Sequence, residues 1–508
     1  MKTQIQTRIG TLGLTLALLA GLAPRADAAD LTLGASAYLN ASGQLISDSG
    51  GTVLLTKTSG AGSRGDPYVF DISGNLNMGS YTIRGNSTHN LIPYSATWRV
   101  TGNVTGTGNF DSHTTLNSAS GGHVWIEAGG SIAINRVGTY VSYWAHGGNV
   151  YLQATGTVTV ASWIDTRSDA GESNDAGSVR IRSEGPVSGQ GIAINGNTGG
   201  YSILTLADRG NVGRDGGAVA LYCQNNITLA AGINTGPGKG YGGSVRIRGD
   251  FNDSGLRAGA VSIGGANGLR TGSTISDRYN SGNVTIRAAS LQLTGKIDTT
   301  QNTYYGETGN VDIDVLENAT IGGFIDTRLL GSLDGSPGFV KIVARRTRVE
   351  GKDASGFSIR TWPGVPGYPR NLAVGDADVT LTGVDTSTER YDPANPTNSM
   401  TSSIYVAGKI NTGRWYDNNA MGNVRITAVE VQLGGDVTNS SSTASSIMAV
   451  RYGTNKYGIV THLVENGVRW TNGIHNITYT LPSGTLSFTG DVPYAGLWSR
   501  PGTVLVVQ

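Results

Sequence analysis

Cysteine, charge and long apolar runs are all scarce in this 508-residue chain, and each scarcity excludes something. Cys223 is the only cysteine, so no internal disulfide can form. Its spacing in Val219-Ala220-Leu221-Tyr222-Cys223 puts the thiol on the strand face of Val219 and Leu221, which reads as a buried, inert thiol. Charged residues make up only 14% while glycine occurs 77 times, a combination that disfavours helical domains. Disordered chains are rich in charge and poor in β-branched residues, and this chain is the reverse. Beyond the amino terminus no stretch approaches the roughly 20 apolar residues needed to span a bilayer, so no transmembrane segment is expected. The six histidines (His89, His113, His123, His146, His462, His475) show no ligand spacing, and neither a nucleophile elbow nor a phosphate loop occurs. No cofactor or metal is therefore expected.

What is present begins with a leader. Lys2 and Arg8 precede an apolar run through Leu12, Leu14, Leu16, Leu18, Leu19 and Leu22, then Ala26-Asp27-Ala28, the pattern of a secretory signal peptide over 1–28. Removing it takes three bases and one acid from totals of 37 and 36, leaving 34 against 35, a net of −1. Nucleic acid is thus not an expected partner, and the mature chain is expected to be secreted or held at the cell surface.

A Val-x-Ile or Val-x-Leu unit recurs at Val124, Val150, Val179, Val219, Val245, Val261, Val284, Val311, Val340, Val379 and Val424. Gly stands two residues before the Val except at Ala377. A second mark, Ile-Asp/Asn-Thr, follows several of these valines by 13 or 14 residues: Ile164-Asp165-Thr166, Ile233-Asn234-Thr235, Ile297-Asp298-Thr299 and Ile325-Asp326-Thr327. In a strand, Val and Ile point one way and the residue between them the other. The inward set is aliphatic, and the outward set (Trp125, Tyr151, Arg180, Ala220, Arg246, Thr285) is mixed. Such a coil buries its apolar side only against the coils above and below. The expected fold is all-β, a right-handed parallel β-helix (β-solenoid) with terminal β caps. Glycines are expected to supply positive φ at its corners. About eleven coils at roughly 4.8 Å make a rod on the order of 50–60 Å. The divisions read as a cap and first coils over 29–120, repeats over 121–437, a Ser/Thr-rich linker over 438–446 and a carboxy-terminal β cap or small module over 447–508.

Gly282-Asn283-Val284-Thr285-Ile286-Arg287-Ala288, followed by Leu293-Thr294-Gly295-Lys296-Ile297-Asp298-Thr299, resembles the repeats of filamentous-haemagglutinin-type secreted exoproteins. The resemblance spans roughly 121–437 and implies a right-handed β-helix in a secreted adhesin or surface fibre.

Candidate binding residues follow from the outward positions. Trp125 and Tyr151 occupy the same outward position in neighbouring coils, with Tyr143, Trp144 and Trp163 nearby, a stacking platform for sugar rings or a protein partner. Arg180, Arg182, Arg246 and Arg248 form a cationic stripe suited to an acidic polysaccharide, interrupted by Ala220 and Tyr222. The Asx residues of the second mark read as turn caps rather than a Ca²⁺ file, and its threonines give poor support for an ice or mineral ladder. Arg64-Gly65-Asp66 is weak as an integrin-type motif. Thr503-Val504-Leu505-Val506-Val507 is an apolar strand that either caps the protein's own end or adds to a second copy. Together these readings describe a non-enzymatic surface or extracellular structural protein, adhesive or fibre-forming, with a glycan or cell-surface protein as partner. The alternative is a β-helix lyase or hydrolase acting on an acidic polysaccharide, for which Asp312 with Asp314 and Asp376 with Asp378 are the paired acids.

Overall fold

The computed structural model describes residues 30–361 apart from loop positions 117–118, 143–144, 169–174, 186–188, 208–214, 237–239, 253, 273–278, 303–305 and 332–334; beyond them it describes 377–383, 403–412 and isolated strands. The stretch read as a signal peptide, 1–28, and most of the stretch read as a linker, 438–446, lie outside the described residues, among which there are strands and turns but no α-helix.

A typical repeat contributes three short strands, for example Val124–Ala128, Ile132–Ile134 and Arg136–Gly138, and in the repeat that begins at Val284 the first two run on as one strand, Val284–Leu293. Every strand pairs in parallel with its counterpart one repeat on: Val124 with Val150, Ile132 with Val158, Val137 with Ile164. The valine register runs unbroken from Val124 through Val150, Val179, Val219, Val245, Val284, Val311, Val340 and Val379 to Val424. First and second strands join one 25-stranded sheet and third strands a 15-stranded one. At the amino-terminal end, Ala37–Leu39, Gln44–Ser47 and Val53–Thr56 form an antiparallel meander attached to the third ladder through Ala37 and Ile83.

Val261 does not belong in that register. It pairs with Ile227 and Leu291, in the second ladder. The repeat that begins at Val245 therefore runs 39 residues to Val284, and its extra length includes an excursion between Arg248 and Ala258.

Alternation divides the faces as the side-chain period requires. Ile126, Leu152, Ile181, Leu221, Ile247, Ile286, Ile313 and Ile342 are all fully buried, each contributing about 1.5–3 kcal/mol by leaving water. Cys223 belongs to the same buried stack, and burial pushes its thiol pKa up. Near the amino-terminal end aromatic rings replace aliphatics: Phe70 stacks on Trp98 at 4.6 Å, and Phe110 meets Trp98 edge-on at 5.9 Å.

The two sequence marks are joined by a clamp. The threonine of the second mark, or the one at the equivalent third-strand position where the Ile-Asx pair is not kept, is buried, and its Oγ1 donates to the carbonyl of the glycine two residues before the next valine. Thr205 binds Gly217 at 2.5 Å, Thr299 binds Gly309 at 2.6 Å and Thr327 binds Gly338 at 2.7 Å. Thr139, Thr166, Thr235 and Thr271 make the same bond to Gly148, Gly177, Gly243 and Gly282. In return the N–H of Gly148, Gly177, Gly217, Gly243 and Gly282 donates to the carbonyl of the same threonine, at 2.8 Å from Gly217 to Thr205. The partners are 8 to 16 residues apart, so loops of different length close on one clamp and the register survives the insertions. These threonines face inward, which removes them from any mineral-binding ladder.

The glycines of the clamp are needed for close approach rather than for φ. None of Gly148, Gly177, Gly217, Gly243, Gly282, Gly309 and Gly338 has positive φ, but a Cβ on any of them would lie 1.9–2.3 Å from the glycine carbonyl oxygen of the preceding repeat. That corrects the expected corner role; positive φ falls instead at turn glycines such as Gly43, Gly199 and Gly356. Ala377, the exception in the sequence, is the one non-glycine with positive φ among the described residues, at 59°, and it still accepts the bond from Thr361. The Asx residues of the second mark cap turns: Asp298 accepts from the Thr300 N–H at 3.2 Å and Asn234 from the Gly236 N–H at 3.0 Å.

Candidate ligand-binding face

Outward positions of the first ladder lie in register across repeats: Trp125 beside Tyr151, Tyr151 beside Arg180, Arg180 beside Ala220, Ala220 beside Arg246. The Trp125 and Tyr151 rings meet edge to face with centroids 4.6 Å apart, and Trp125 is 40% exposed. Tyr151 is half-buried, its hydroxyl donates to Gln153, and burial raises its pKa.

Arg180 continues the row. Its guanidinium stands 5.8 Å from the Tyr151 ring, 5.9 Å from Tyr222 and 4.2 Å from Phe251. Phe251 is 45% exposed and packs edge-on against Tyr222, whose ring is buried although it points outward. Ala220 and Tyr222 separate the two arginine pairs in register, as expected, and Tyr222 together with Phe251 extends the aromatic row beyond Arg180. Sequence reasoning missed Phe251, because taking Val261 for a repeat start hid the excursion that carries it.

The other arginines differ in availability. Arg182 pairs with Glu184 at 2.8 Å. Arg248 is half-buried, and burial, then the nearby Arg246 and Arg287, lower its pKa. Arg246 is exposed between Ala220 and Thr285, with no ion-pair partner among the described residues. Trp163 lies apart from this face: it precedes the third strand Ile164–Asp165, with the Arg136 guanidinium 5.0 Å from its ring. Tyr143 and Trp144 lie outside the described residues, as do Trp362, Tyr368, Trp415, Tyr416 and Asp376.

Two acids of the alternative enzymatic reading, Asp312 and Asp314, are occupied. Asp312 bonds Arg287, and Asp314 is gripped by Arg257 through two contacts of 2.8 Å. Arg64 of the Arg-Gly-Asp triplet donates to His123 at 3.2 Å and to the Gly147 carbonyl at 3.0 Å, while Asp66 accepts from the Ala61 N–H. Burial and the adjacent Arg64 push His123 down to about 4, keeping its ring neutral at physiological pH. The triplet thus serves an internal contact.

No protein-family model, curated protein or solved structure matches this chain.

Proposed function

We propose that the chain is an exported right-handed parallel β-helix of the filamentous-haemagglutinin type, non-enzymatic, acting at the cell surface or outside the cell as an adhesive or fibre-forming rod that binds an acidic glycan. The observation that carries the reading is the row Trp125–Tyr151–Arg180–Phe251, in which two exposed rings, a half-buried one and a guanidinium stand side by side along one face. A sugar's C–H face stacks on an exposed ring, and a guanidinium edge pairs with carboxylate or sulfate. Arg246, exposed and without an ion-pair partner among the described residues, supplies a second cation for a chain lying along the row. The secretory leader is consistent with that compartment. The hydrolase or lyase alternative loses support because Asp312 and Asp314 are already neutralised by arginines.

A glycan array with the mature protein tests the ligand class. Trp125→Ala with Tyr151→Ala should weaken the best acidic ligand about tenfold or more, since two ring contacts of about 1 kcal/mol each are removed. The melting temperature should stay close to that of the parent. Retained binding in a folded double variant rejects the row as the site, and an unfolded double variant shows the rings to be structural.

Fibre formation rests on the carboxy terminus. Thr503–Leu505 pairs antiparallel with Trp498–Arg500 in a sheet of only two strands, which leaves an edge open among the described residues. A second copy that pairs there makes a head-to-tail contact, and such contacts do not close on themselves. Deleting 502–508 should abolish oligomers seen by light scattering with the full chain while leaving a folded monomer; unchanged oligomers reject this contact.

A further inference from the structure

Away from the aromatic face, on the turns that follow the third strands, the chain gathers His89, Asp111 and His113, with one ligand atom from each lying within 4.8 Å of the others. They come from two successive repeats. Asp111 ends the strand Asn109–Asp111, and His113 stands two residues on; His89 lies in the loop after Ile83–Arg84, the strand that pairs with it. Nothing in the linear spacing of the histidines announces this set, because the repeat register rather than the chain brings them together.

We propose that His89, Asp111 and His113 form a binding site for a divalent transition metal of the zinc class, which ties two adjacent repeats together near the amino-terminal end. Two imidazoles and one carboxylate are a borderline nitrogen–oxygen donor set suited to zinc, with a fourth position left for water. The set is largely shielded: Asp111 is 5% and His113 8% exposed. His113 is held in place, with its ring stacked between His89 at 3.7 Å and Tyr140 at 4.3 Å. Its Nδ1 faces the Asp111 carboxylate, so a single ion would draw one ligand atom from each.

The surroundings orient the ligands. Arg136 donates to the other oxygen of Asp111 at 3.1 Å, which fixes the carboxylate and leaves Oδ1 turned to the histidines. The backbone carbonyl of His89 accepts from the Thr115 N–H at 2.8 Å, so the loop carrying this ligand is anchored. The Arg136 charge opposes a second cation, so affinity should be on the order of micromolar rather than that of a closed structural zinc site.

The test uses untagged mature protein stripped with EDTA, titrated with Zn²⁺ by calorimetry and melted with and without the metal. One equivalent should bind and raise the melting temperature, and Co²⁺ in its place should give visible d–d absorption. His89→Ala should weaken binding at least about tenfold, while His146→Ala should leave it unchanged. Should His89→Ala melt lower without metal, His89→Gln decides by the same comparison of affinities. Absence of a stoichiometric zinc, or equal affinity in the parent and the His89 variants, overturns the site.

Discussion

Ile286→Asp should unfold or nearly unfold the repeats around it, while Thr285→Asp one position earlier should be almost silent. Ile286 is fully buried and paired in register with Ile247 on one side and Ile313 on the other, both equally buried. A carboxylate there finds aliphatic neighbours and no cation, and the cost is on the order of 4–5 kcal/mol or more. Thr285 lies between Arg246 and Asp312 on the outward side, and Asp312 is already engaged by Arg287. A carboxylate placed beside Arg246, which has no ion-pair partner among the described residues, should change stability by less than about 1 kcal/mol. Urea unfolding of the two variants with the parent measures the contrast. Equal losses would remove the alternation on which the inward and outward assignments depend.

That alternation was legible because it needs only the two-residue period of a strand and a periodic supply of aliphatic residues. The Val-x-Ile units at Val150, Val179 and Val311 stand in the inferred register, and Trp125 and Tyr151 meet as neighbours. Val261 was misread because its own Gly259 and Ile263 imitate the mark, although that glycine packs on the Asn225 backbone in a different ladder. The error displaced the insertion that carries Phe251, and with it the partner of Arg180. Trp163 was grouped with Trp125 by nearness in sequence, whereas the turn between second and third strands sends it to another face. The His89–Asp111–His113 cluster escaped for a related reason: its members are 22 and 2 residues apart, a spacing that means nothing until the repeat length superposes Arg84 on Asp111.

The fixed phase of the two sequence marks now has a physical cause, and it leads to the sharpest stability test. Gly309→Ala should destabilise by about 3 kcal/mol or more although it adds a single methyl group. An ideal Cβ there would lie 1.9 Å from the Gly282 carbonyl oxygen and 2.6 Å from its carbon. Those are backbone atoms held by the parallel ladder, so they cannot step aside as the tip of a side chain could. Relief would require Gly309 itself to move, and its carbonyl is the acceptor for Thr299 Oγ1 at 2.6 Å. Moving it leaves a buried hydroxyl without its partner, a further cost of about 1–3 kcal/mol. Gly34→Ala serves as the control: nothing lies within 4 Å of its Cβ position and its φ is not positive. Because each repeat rests on its neighbours, the Gly309 lesion should also open the adjacent repeats, visible as a cluster of fast-exchanging amides around Val284 and Val311 in hydrogen exchange. If Gly309→Ala melts with the parent and protects those amides equally, close approach is not what selects glycine there, and the Thr–Gly clamp would have to be discarded as the device that sets the register.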